Sequence, residues 1–254
     1  MTLSQKVAAI TGGARGIGRA IAEQLAADGY AVLIADIHGE AAEQTAMELV
    51  ADGVDATACQ SDVTDAGACQ AMIRQAVERF GRLDVLANNA GIGQPQPSLE
   101  VSPEDWRRMI DVQLNGAFFC AQAAGCQMVT QNWGGSIVNI TSINADAAFP
   151  QRASYVSAKA GVAMLTRVLA IEWAEHNIRV NAVGPAHTET EMTTQNIRSG
   201  RIQLEALKKR IPLGRLASVK DVANTVSFLV SDRASFITGQ SLYVDGGYLA
   251  YGYL

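Results

Sequence analysis

Short apolar runs that alternate with longer stretches of helical period constrain the fold of this chain more than any other feature of its sequence. Seven of these runs are strand candidates, at residues 7–10, 31–36, 56–62, 83–88, 136–141, 178–183 and 241–244. Strands that are joined through helices need crossover connections and therefore lie parallel. The alternation predicts an α/β fold with a doubly wound, seven-stranded parallel sheet and helices on both faces.

The overall composition predicts one acidic globular domain over residues 1–254. No internal repeat or linker divides the chain, and a hydrophobic content of 48% supplies an ample core. A net charge of −5 gives no basic surface for nucleic acid and does not favour a membrane surface. Residues 1–6 lack the pattern of an export signal, so we expect a cytoplasmic protein. The three histidines and four cysteines lack metal-site spacing, so no metal is expected.

A glycine-rich turn follows the first predicted strand. Gly12, Gly16 and Gly18 stand between that strand and a helix predicted to reach about Ala27. Glycines in this position allow a tight turn and let backbone N–H groups approach a pyrophosphate, which the helix N-terminus also stabilises. The placement between strand and helix predicts a dinucleotide site.

An acidic residue ends the second predicted strand and bears on the choice of dinucleotide. Asp36 lies 18 residues after Gly18, where a carboxylate accepts hydrogen bonds from the adenosine ribose. The same charge would repel a 2′-phosphate. Arg15 in the glycine turn acts in the other direction, since a basic residue there could hold that phosphate. We give more weight to the carboxylate and expect NAD, with NADP less favoured.

Tyr155 and Lys159 are spaced to share one face of a predicted helix. At i, i+4 an ammonium lies beside a phenol and favours its ionised form. A phenol with a pKa below its ordinary value of about 10 could act as a base near neutral pH. The pair alone also fits an ordinary solvated helix face, so its interpretation depends on other motifs.

Five motifs in register resemble those of the short-chain dehydrogenase/reductase family. They are the glycine turn, Asn88-Asn89-Ala90-Gly91, Ser142 with Tyr155-x-x-x-Lys159, residues 178–183, and Val244-Asp245-Gly246-Gly247. The resemblance extends from about Gln5 to Gly247 and implies a Rossmann fold and an oxidoreductase that acts on CH–OH groups. It also implies a homotetramer.

The resemblance implies a role for each matched residue. Tyr155 would exchange a proton with the substrate oxygen, Ser142 would hydrogen-bond that oxygen, and Lys159 would lower the pKa of Tyr155 and bind the nicotinamide ribose. Together with Tyr155 and Lys159, the implied cofactor contacts are Gly12, Arg15, Gly16, Ile17, Gly18, Asp36, Ile37, Asp62, Val63, Asn89, Ala90, Gly91, Pro185, Thr188 and Thr190.

Two positions depart from the family pattern. Gln113 stands where the family usually has the asparagine that supports a proton-relay water, and we hypothesise that Gln113 assumes this role. Asn115 is not an obvious replacement, because two positions along an α-helix turn it toward the opposite face. Ala186 replaces the usual glycine after Pro185, so the nicotinamide loop must accept a Cβ.

The substrate is expected to be small and polar. Asn144, Gln151, Arg152 and His187 are the candidate substrate contacts, and a substrate-binding loop is predicted at about residues 184–212. An irregular stretch is predicted from Gly184 to about Gly200. These residues favour a sugar, a polyol or a small hydroxy-carbonyl compound.

Two other functions remain possible from the sequence. A 3-oxoacyl carrier-protein reductase would more naturally use NADPH and present a basic patch, which Asp36 and the net charge of −5 oppose. A non-catalytic dinucleotide-binding sensor should have lost catalytic residues. The apolar tail at residues 248–254 is predicted to dock at a subunit interface.

Overall fold

The computed structural model describes residues 5–252 of the 254. Residues 1–4 of the predicted domain and residues 253–254 of the predicted tail lie outside the described residues. Within the described chain, seven parallel strands form one sheet in the order β3-β2-β1-β4-β5-β6-β7. Their bounds are Val7–Thr11 (β1), Ala31–Asp36 (β2), Ala56–Gln60 (β3), Val85–Asn88 (β4), Gly135–Ile140 (β5), Ile178–Pro185 (β6) and Ser241–Val244 (β7). The predicted α/β fold and its doubly wound sheet are confirmed.

The helices lie on both faces of the sheet. Their bounds are Gly16–Ala27 (α1), Gly39–Ala51 (α2), Ala66–Phe80 (α3), Pro103–Ile110 (α4), Gly116–Gln131 (α5), Ala153–Glu172 (α6), Glu191–Arg198 (α7), Leu204–Arg210 (α8) and Val219–Val230 (α9). Helices α1, α2 and α9 contribute to one core cluster, around residues such as Ile21 and Leu229. Helices α3, α5 and α6 contribute to the other, around residues such as Met72 and Leu169.

The chain order of the strands places the site. The sheet grows outward from β1 in one direction through β2 and β3, and in the other through β4 to β7. Between β1 and β4 the winding reverses, and parallel strands of this kind leave a crevice at their carboxyl ends. The glycine turn after β1, Asp36 at the end of β2 and residues 88–91 after β4 all lie at this edge.

The stretch predicted to be irregular, Gly184 to about Gly200, is instead partly regular. Strand β6 continues to Pro185, whose partner in the sheet is Val244 on β7. Helix α7 then occupies residues 191–198, because the Thr190 hydroxyl caps it by accepting a hydrogen bond from Thr193 N at 3.3 Å. The local signals of a cap and a short amphipathic turn were overlooked in the sequence.

Helix α4 continues into α5 through one turn of π-helix at Asp111–Asn115. A π-turn widens the helix locally and occurs often at functional sites. It carries Gln113, whose side chain is buried, and Asn115, whose amide nitrogen donates to Asp111 Oδ1 at 2.8 Å. The widened turn is a feature that the assumption of a regular α-helix did not anticipate.

Candidate active site

The glycine turn is shaped by close contacts as well as by its backbone angles. Gly12 has φ +61° and Gly16 has φ +56°, both in the left-handed region. A Cβ on Gly12 would lie 2.9 Å from Ala90 Cα, and one on Gly18 would lie 2.0 Å from Gly12 O. Side chains would therefore block the approach of the turn to residues 89–91 and the start of α1.

The start of α1 is open to an anion. Arg15 is the N-cap residue, its side chain makes no capping hydrogen bond, and the first turn holds no acidic residue. The initial N–H groups of a helix lack intrahelical acceptors and carry a partial positive charge. The turn and the helix start thus fit the pyrophosphate of a dinucleotide. Ile17, also predicted to contact the cofactor, is half-buried and packs partly against the core.

Asp36 is fixed at the end of β2 by two backbone amides. Its Oδ2 accepts from Ala14 N at 3.2 Å, and its Oδ1 accepts from His38 N at 3.1 Å. The carboxylate is buried, and the neighbouring Ile37 is exposed. The end of β2 therefore presents a carboxylate, and residues 37–40 offer no lysine or arginine that could hold a 2′-phosphate.

The segment after β4 is clamped to the glycine turn. Asn89 Nδ2 donates to Thr11 O and Gly12 O, each at 3.0 Å, so this amide positions the turn. Thr11 Oγ1 accepts from Asn89 N at 2.9 Å and from Ala90 N at 3.0 Å. Asn89 and Ala90 thus fix the shape of the glycine turn.

Three buried polar side chains continue inward from this clamp. Asn88 Nδ2 donates to Asn139 Oδ1 at 3.2 Å, and Asn139 Nδ2 donates to Thr166 Oγ1 at 2.9 Å. The chain of hydrogen bonds links β4, β5 and α6 beneath the site. Sequence reasoning did not find Asn139 or Thr166, although a buried polar residue inside an apolar strand is a signal that could have pointed to Asn139.

The remaining predicted cofactor contacts lie around the same crevice. Asp62 is exposed and its Oδ1 accepts from Thr64 N at 2.9 Å, whereas Val63 is buried against Gly116. Across the crevice, the methyl group of Thr190 lies 4.0 Å from the ideal Cβ position of Gly16. The structure therefore brings the nicotinamide-side loop beside the glycine turn.

Ala186 is accommodated without a left-handed backbone. In the described chain, the residues other than glycine with positive φ are Asn132, Gln151 and Asn177. Ala186 N donates to Val244 O at 3.0 Å, which extends the pairing of β6 with β7, and Thr188 Oγ1 donates to Ala186 O at 3.2 Å. The Cβ that this loop must accept at Ala186 therefore sits on an ordinary backbone.

The predicted catalytic group lies where β5 ends and α6 begins. Ser142 comes just after β5, and Tyr155 and Lys159 are in the first two turns of α6. The buried Ser142 hydroxyl accepts from Asn144 N at 3.1 Å and lies near the Tyr155 side chain, whose pKa it acts to lower. Lys159 is one turn along α6 from Tyr155, with Nζ 5.7 Å from the tyrosine ring centroid. Lys159 Nζ donates to Ile140 O at 2.7 Å.

The pKa values of these groups differ from the sequence expectation. Burial raises the pKa of Tyr155, and the hydrogen bond from Ser142 and the charge of Arg152 oppose that shift only in part. Burial also lowers the pKa of Lys159 to about 7. The expected lowering of the Tyr155 pKa by Lys159 is therefore not present in the protein alone, because desolvation acts on both groups and weakens the cation itself.

Gln113 is directed at the segment after β4. Its Nε2 donates to Ile92 O, and its buried Oε1 has no hydrogen-bond partner among residues 5–252. A Cβ on Gly91 would lie 2.8 Å from that oxygen. The unpartnered Oε1 is an acceptor that a relay water needs, whereas Nε2 of the same amide binds Ile92 O and not Lys159.

Three of the predicted substrate contacts lie in the loops that follow β5 and β6. Asn144 is buried and its Nδ2 donates to Ala147 O at 3.1 Å, while Gln151 is exposed with φ +61°. His187 packs edge-on against the rings of Phe149 and Tyr248, with centroids 6.2 and 6.3 Å away. Tyr248 belongs to the tail predicted to reach a subunit interface, yet it packs within its own chain.

Arg210 contacts two tyrosines in the described part of the tail. Arg210 Nη1 donates to Tyr248 O at 3.0 Å, and the guanidinium lies 4.4 Å from the Tyr248 ring centroid and 5.2 Å from that of Tyr251. These contacts join the end of α8 to the tail and place an aromatic wall beside the substrate loop. Sequence spacing gave no signal for this, since Arg210 and Tyr248 are 38 positions apart.

The arrangement matches known oxidoreductases along almost the whole chain. The family model described as enoyl-(acyl carrier protein) reductase matches residues 12–249. The 3-oxoacyl-[acyl-carrier-protein] reductase of Staphylococcus aureus is 43% identical over 243 residues, which cover 95% of this chain and 97% of that protein. The cis-4-hydroxycyclohexanecarboxylate dehydrogenase of Sinomonas cyclohexanicum is 42% identical over 248 residues, which cover 97% and 98%.

A solved structure has the same fold as this chain. The crystal structure of acetoin dehydrogenase from Enterobacter cloacae superposes with a TM-score of 0.88 and 37% identity, covering 100% of this chain and 99% of that one. The relatives are oxidoreductases, and the residues that the resemblance assigned to catalysis meet in one crevice. The chain is a CH–OH oxidoreductase and belongs to the short-chain dehydrogenase/reductase family.

Proposed function

We propose that this enzyme is an NAD-dependent dehydrogenase that interconverts a secondary alcohol and a ketone in a sugar, a polyol or a small hydroxy-carbonyl compound. The grouping of Ser142, Tyr155 and Lys159, with Lys159 Nζ 5.7 Å from the Tyr155 ring centroid and donating to Ile140 O, is the observation that carries the reaction type. A serine and a tyrosine hydroxyl in such a group can both bind one substrate oxygen. A non-catalytic sensor would not need this arrangement.

In the oxidative direction, Tyr155 accepts the proton of the substrate hydroxyl as the carbon–oxygen bond becomes a carbonyl. Ser142 donates a hydrogen bond to the same oxygen and keeps it in reach of the phenol. NAD held by the glycine turn, Asp36 and residues 89–91 would supply the hydride acceptor and, in its oxidised form, a positive charge beside Tyr155. Lys159, positioned by Ile140 O, stabilises the phenolate when protonated. Reduction of the ketone reverses each transfer.

The preference for NAD is supported by Asp36. Its carboxylate is held by two backbone amides, so it cannot easily turn away from an added phosphate. Arg15 acts against this preference, because it is an exposed cation at the N-cap of α1 that can hold a 2′-phosphate. Charged hydrogen bonds contribute about 1.5–3 kcal/mol, or roughly 10- to 150-fold in rate or affinity.

The experiment is a comparison of kcat/KM with NAD and NADP for the native enzyme and Asp36→Asn, using a panel of sugar alcohols, diols and hydroxy acids. We expect the native enzyme to prefer NAD and the variant to lose about 10- to 150-fold of that preference. Asp52→Asn, at an exposed carboxylate on the far end of α2, is the matched control. An unchanged ratio in Asp36→Asn would reject this account of coenzyme choice, and no turnover with any alcohol would reject the function.

A second candidate is a 3-oxoacyl carrier-protein reductase. The 43% identity to the Staphylococcus aureus reductase favours it. Residues 198–215 are also locally basic, but Lys208 pairs with Glu205, Arg215 pairs with Asp221, and Arg210 is held against Tyr248. Reduction of acetoacetyl carrier protein with NADPH, at a higher kcat/KM than any free alcohol or ketone with NAD or NADH, would favour this second candidate.

We propose a homotetramer as the functional assembly. Met164, Val168 and Ile171 are 55%, 43% and 80% exposed and share one face of α6, where a second copy would cover them. Light scattering on the purified protein should give about four times the 26.9 kDa of one chain. A monomer would contradict the proposal. The cytoplasmic location stays a prediction, and no helix in residues 5–252 is long and apolar enough to cross a membrane.

A further inference from the structure

Arg152 places an unpaired cation beside the catalytic tyrosine. Its guanidinium carbon lies 5.9 Å from the Tyr155 ring centroid, and its Nη1 lies 3.9 Å from the ideal Cβ position of Gly93. The side chain is half-buried. Its positive charge is close enough to Tyr155 and His187 to act against a rise in the pKa of the first and to lower the pKa of the second.

Arg152 forms no ion pair with a carboxylate of residues 5–252. All ion pairs in that part of the chain involve other lysine, arginine or histidine side chains. The acidic side chains of neighbouring elements are engaged elsewhere. Asp146 accepts from the Tyr243 hydroxyl at 2.6 Å, and Glu191 accepts from Gln195 Nε2 at 3.3 Å. A partly desolvated guanidinium is stabilised most by a planar, bidentate anion.

The opposite wall fits a hydrocarbon frame that carries such an anion. Burial and the charge of Arg152 lower the pKa of His187, which favours its neutral form, so His187 adds no second cation beside Arg152. Phe149 and Tyr248 stack with centroids 6.0 Å apart next to it. Arg210 is already committed to the Tyr248 ring and carbonyl, so it adds no second free cation for a phosphate dianion.

We propose that Arg152 binds the carboxylate of the substrate, and that the enzyme acts on compact hydroxycarboxylic acids and the corresponding keto acids. This inference rests on the proposed function, because it names the substrate class of the same site. The secondary hydroxyl lies at Ser142 and Tyr155, the carboxylate lies at Arg152, and the carbon frame lies against the wall formed by Phe149 and Tyr248.

The test compares each hydroxy acid with its own primary amide, which keeps the shape and removes the charge. Two pairs at different spacing are 3-hydroxybutyrate with 3-hydroxybutyramide, and 4-hydroxycyclohexanecarboxylate with its amide. The measured quantity is the ratio of kcat/KM for acid over amide. Any general effect of Arg152 on the Tyr155 pKa acts on both compounds and cancels in this ratio.

We expect the native enzyme to favour the acid of at least one pair by about 10- to 150-fold. Arg152→Gln should bring that ratio close to one, and Arg152→Lys should keep part of it, because lysine supplies the charge without the fork. Arg201→Gln, at an exposed cation near the loop, should keep the native ratio. A ratio that is the same in the native enzyme and Arg152→Gln would overturn the proposal.

A binding measurement keeps this result separate from the proposed function. Calorimetric titration of cyclohexanecarboxylate into the protein, with and without NADH, should show binding to the native enzyme and about tenfold or greater weakening in Arg152→Gln. If no alcohol is oxidised yet this difference is present, the proposed function fails and the carboxylate site stands. If neutral alcohols are oxidised and the carboxylate binds both proteins equally or neither, only the carboxylate site fails.

Discussion

Replacing Lys159 with methionine should stabilise the cofactor-free protein by an amount that depends on pH. Lys159 is 5% exposed, donates to Ile140 O, and has a pKa that burial lowers from 10.5 to about 7. Between these two values the unfolded chain keeps a proton that the folded protein releases. The burial penalty is therefore complete below pH 7 and disappears as the pH approaches 10.5.

The size of the penalty follows from that interval. At 1.36 kcal/mol for each pH unit, the span from about 7 to 10.5 corresponds to about 5 kcal/mol. The same linkage leaves about 3 kcal/mol at pH 8 and about 2 kcal/mol at pH 9. Lys159→Met keeps the length of the side chain and cannot be charged. Its gain in the free energy of unfolding should shrink by about 3 kcal/mol from pH 6 to pH 9.

Urea denaturation at fixed protein concentration and without NAD, at pH 6, 7, 8 and 9, measures this difference. The lost hydrogen bond to Ile140 O and any change in packing shift all four values equally, so the slope against pH isolates the charge. Lys220→Met, at an exposed lysine, should show no slope. A difference between Lys159→Met and the native protein that is flat from pH 6 to pH 9 would refute the reasoning. Lys159→Met should also have lost turnover, since the ammonium that stabilises the Tyr155 phenolate is gone.

Three further substitutions test the site. Tyr155→Phe should lower kcat by about 100- to 10,000-fold while NAD still binds by fluorescence titration, and more than a tenth of native kcat would contradict its role as acid and base. Gln113→Ala should lower kcat about tenfold and change the pH profile of kcat if the residue supports a relay; unchanged turnover with lower thermal stability would leave it a packing residue. Tyr248→Ala should raise KM by about 5- to 30-fold through loss of apolar contact, with kcat within a few-fold of native; unchanged KM for all substrates would remove the tail from the pocket.

The fold was largely predictable because its signals are local. Two of the seven predicted strands match the observed bounds, and the other five differ only at their ends, where hydrogen bonding to a neighbour decides whether pairing continues. Strand β6, for example, extends to Pro185 because β7 pairs with it as far as Val244. The helix at residues 191–198 was overlooked, since it is short and polar and its cap is a single threonine.

The site was predictable where chemistry is tied to a fixed spacing. The Tyr155 and Lys159 pair, Ser142 and the glycine turn each follow from position in one element. The pKa values of the buried groups were not predictable from the sequence, because desolvation depends on atoms from β5, α6 and the loops around them. Sequence spacing also gave no access to Asn139, Thr166 and Arg210, since each acts through a partner that is distant in sequence.

By itself, the sequence determined the order of strands and helices along the chain and the position of the glycine turn, and it named the candidate catalytic residues, because periodicity and motif spacing act within short segments. Only the tertiary structure decided which charges remain unpaired and how strongly water is excluded from them. The tail illustrates the difference. Its apolar residues were visible in the sequence, but only packing showed that Tyr248 meets His187 and Phe149. Likewise, only the structure shows that Arg152 forms no ion pair with a carboxylate of residues 5–252.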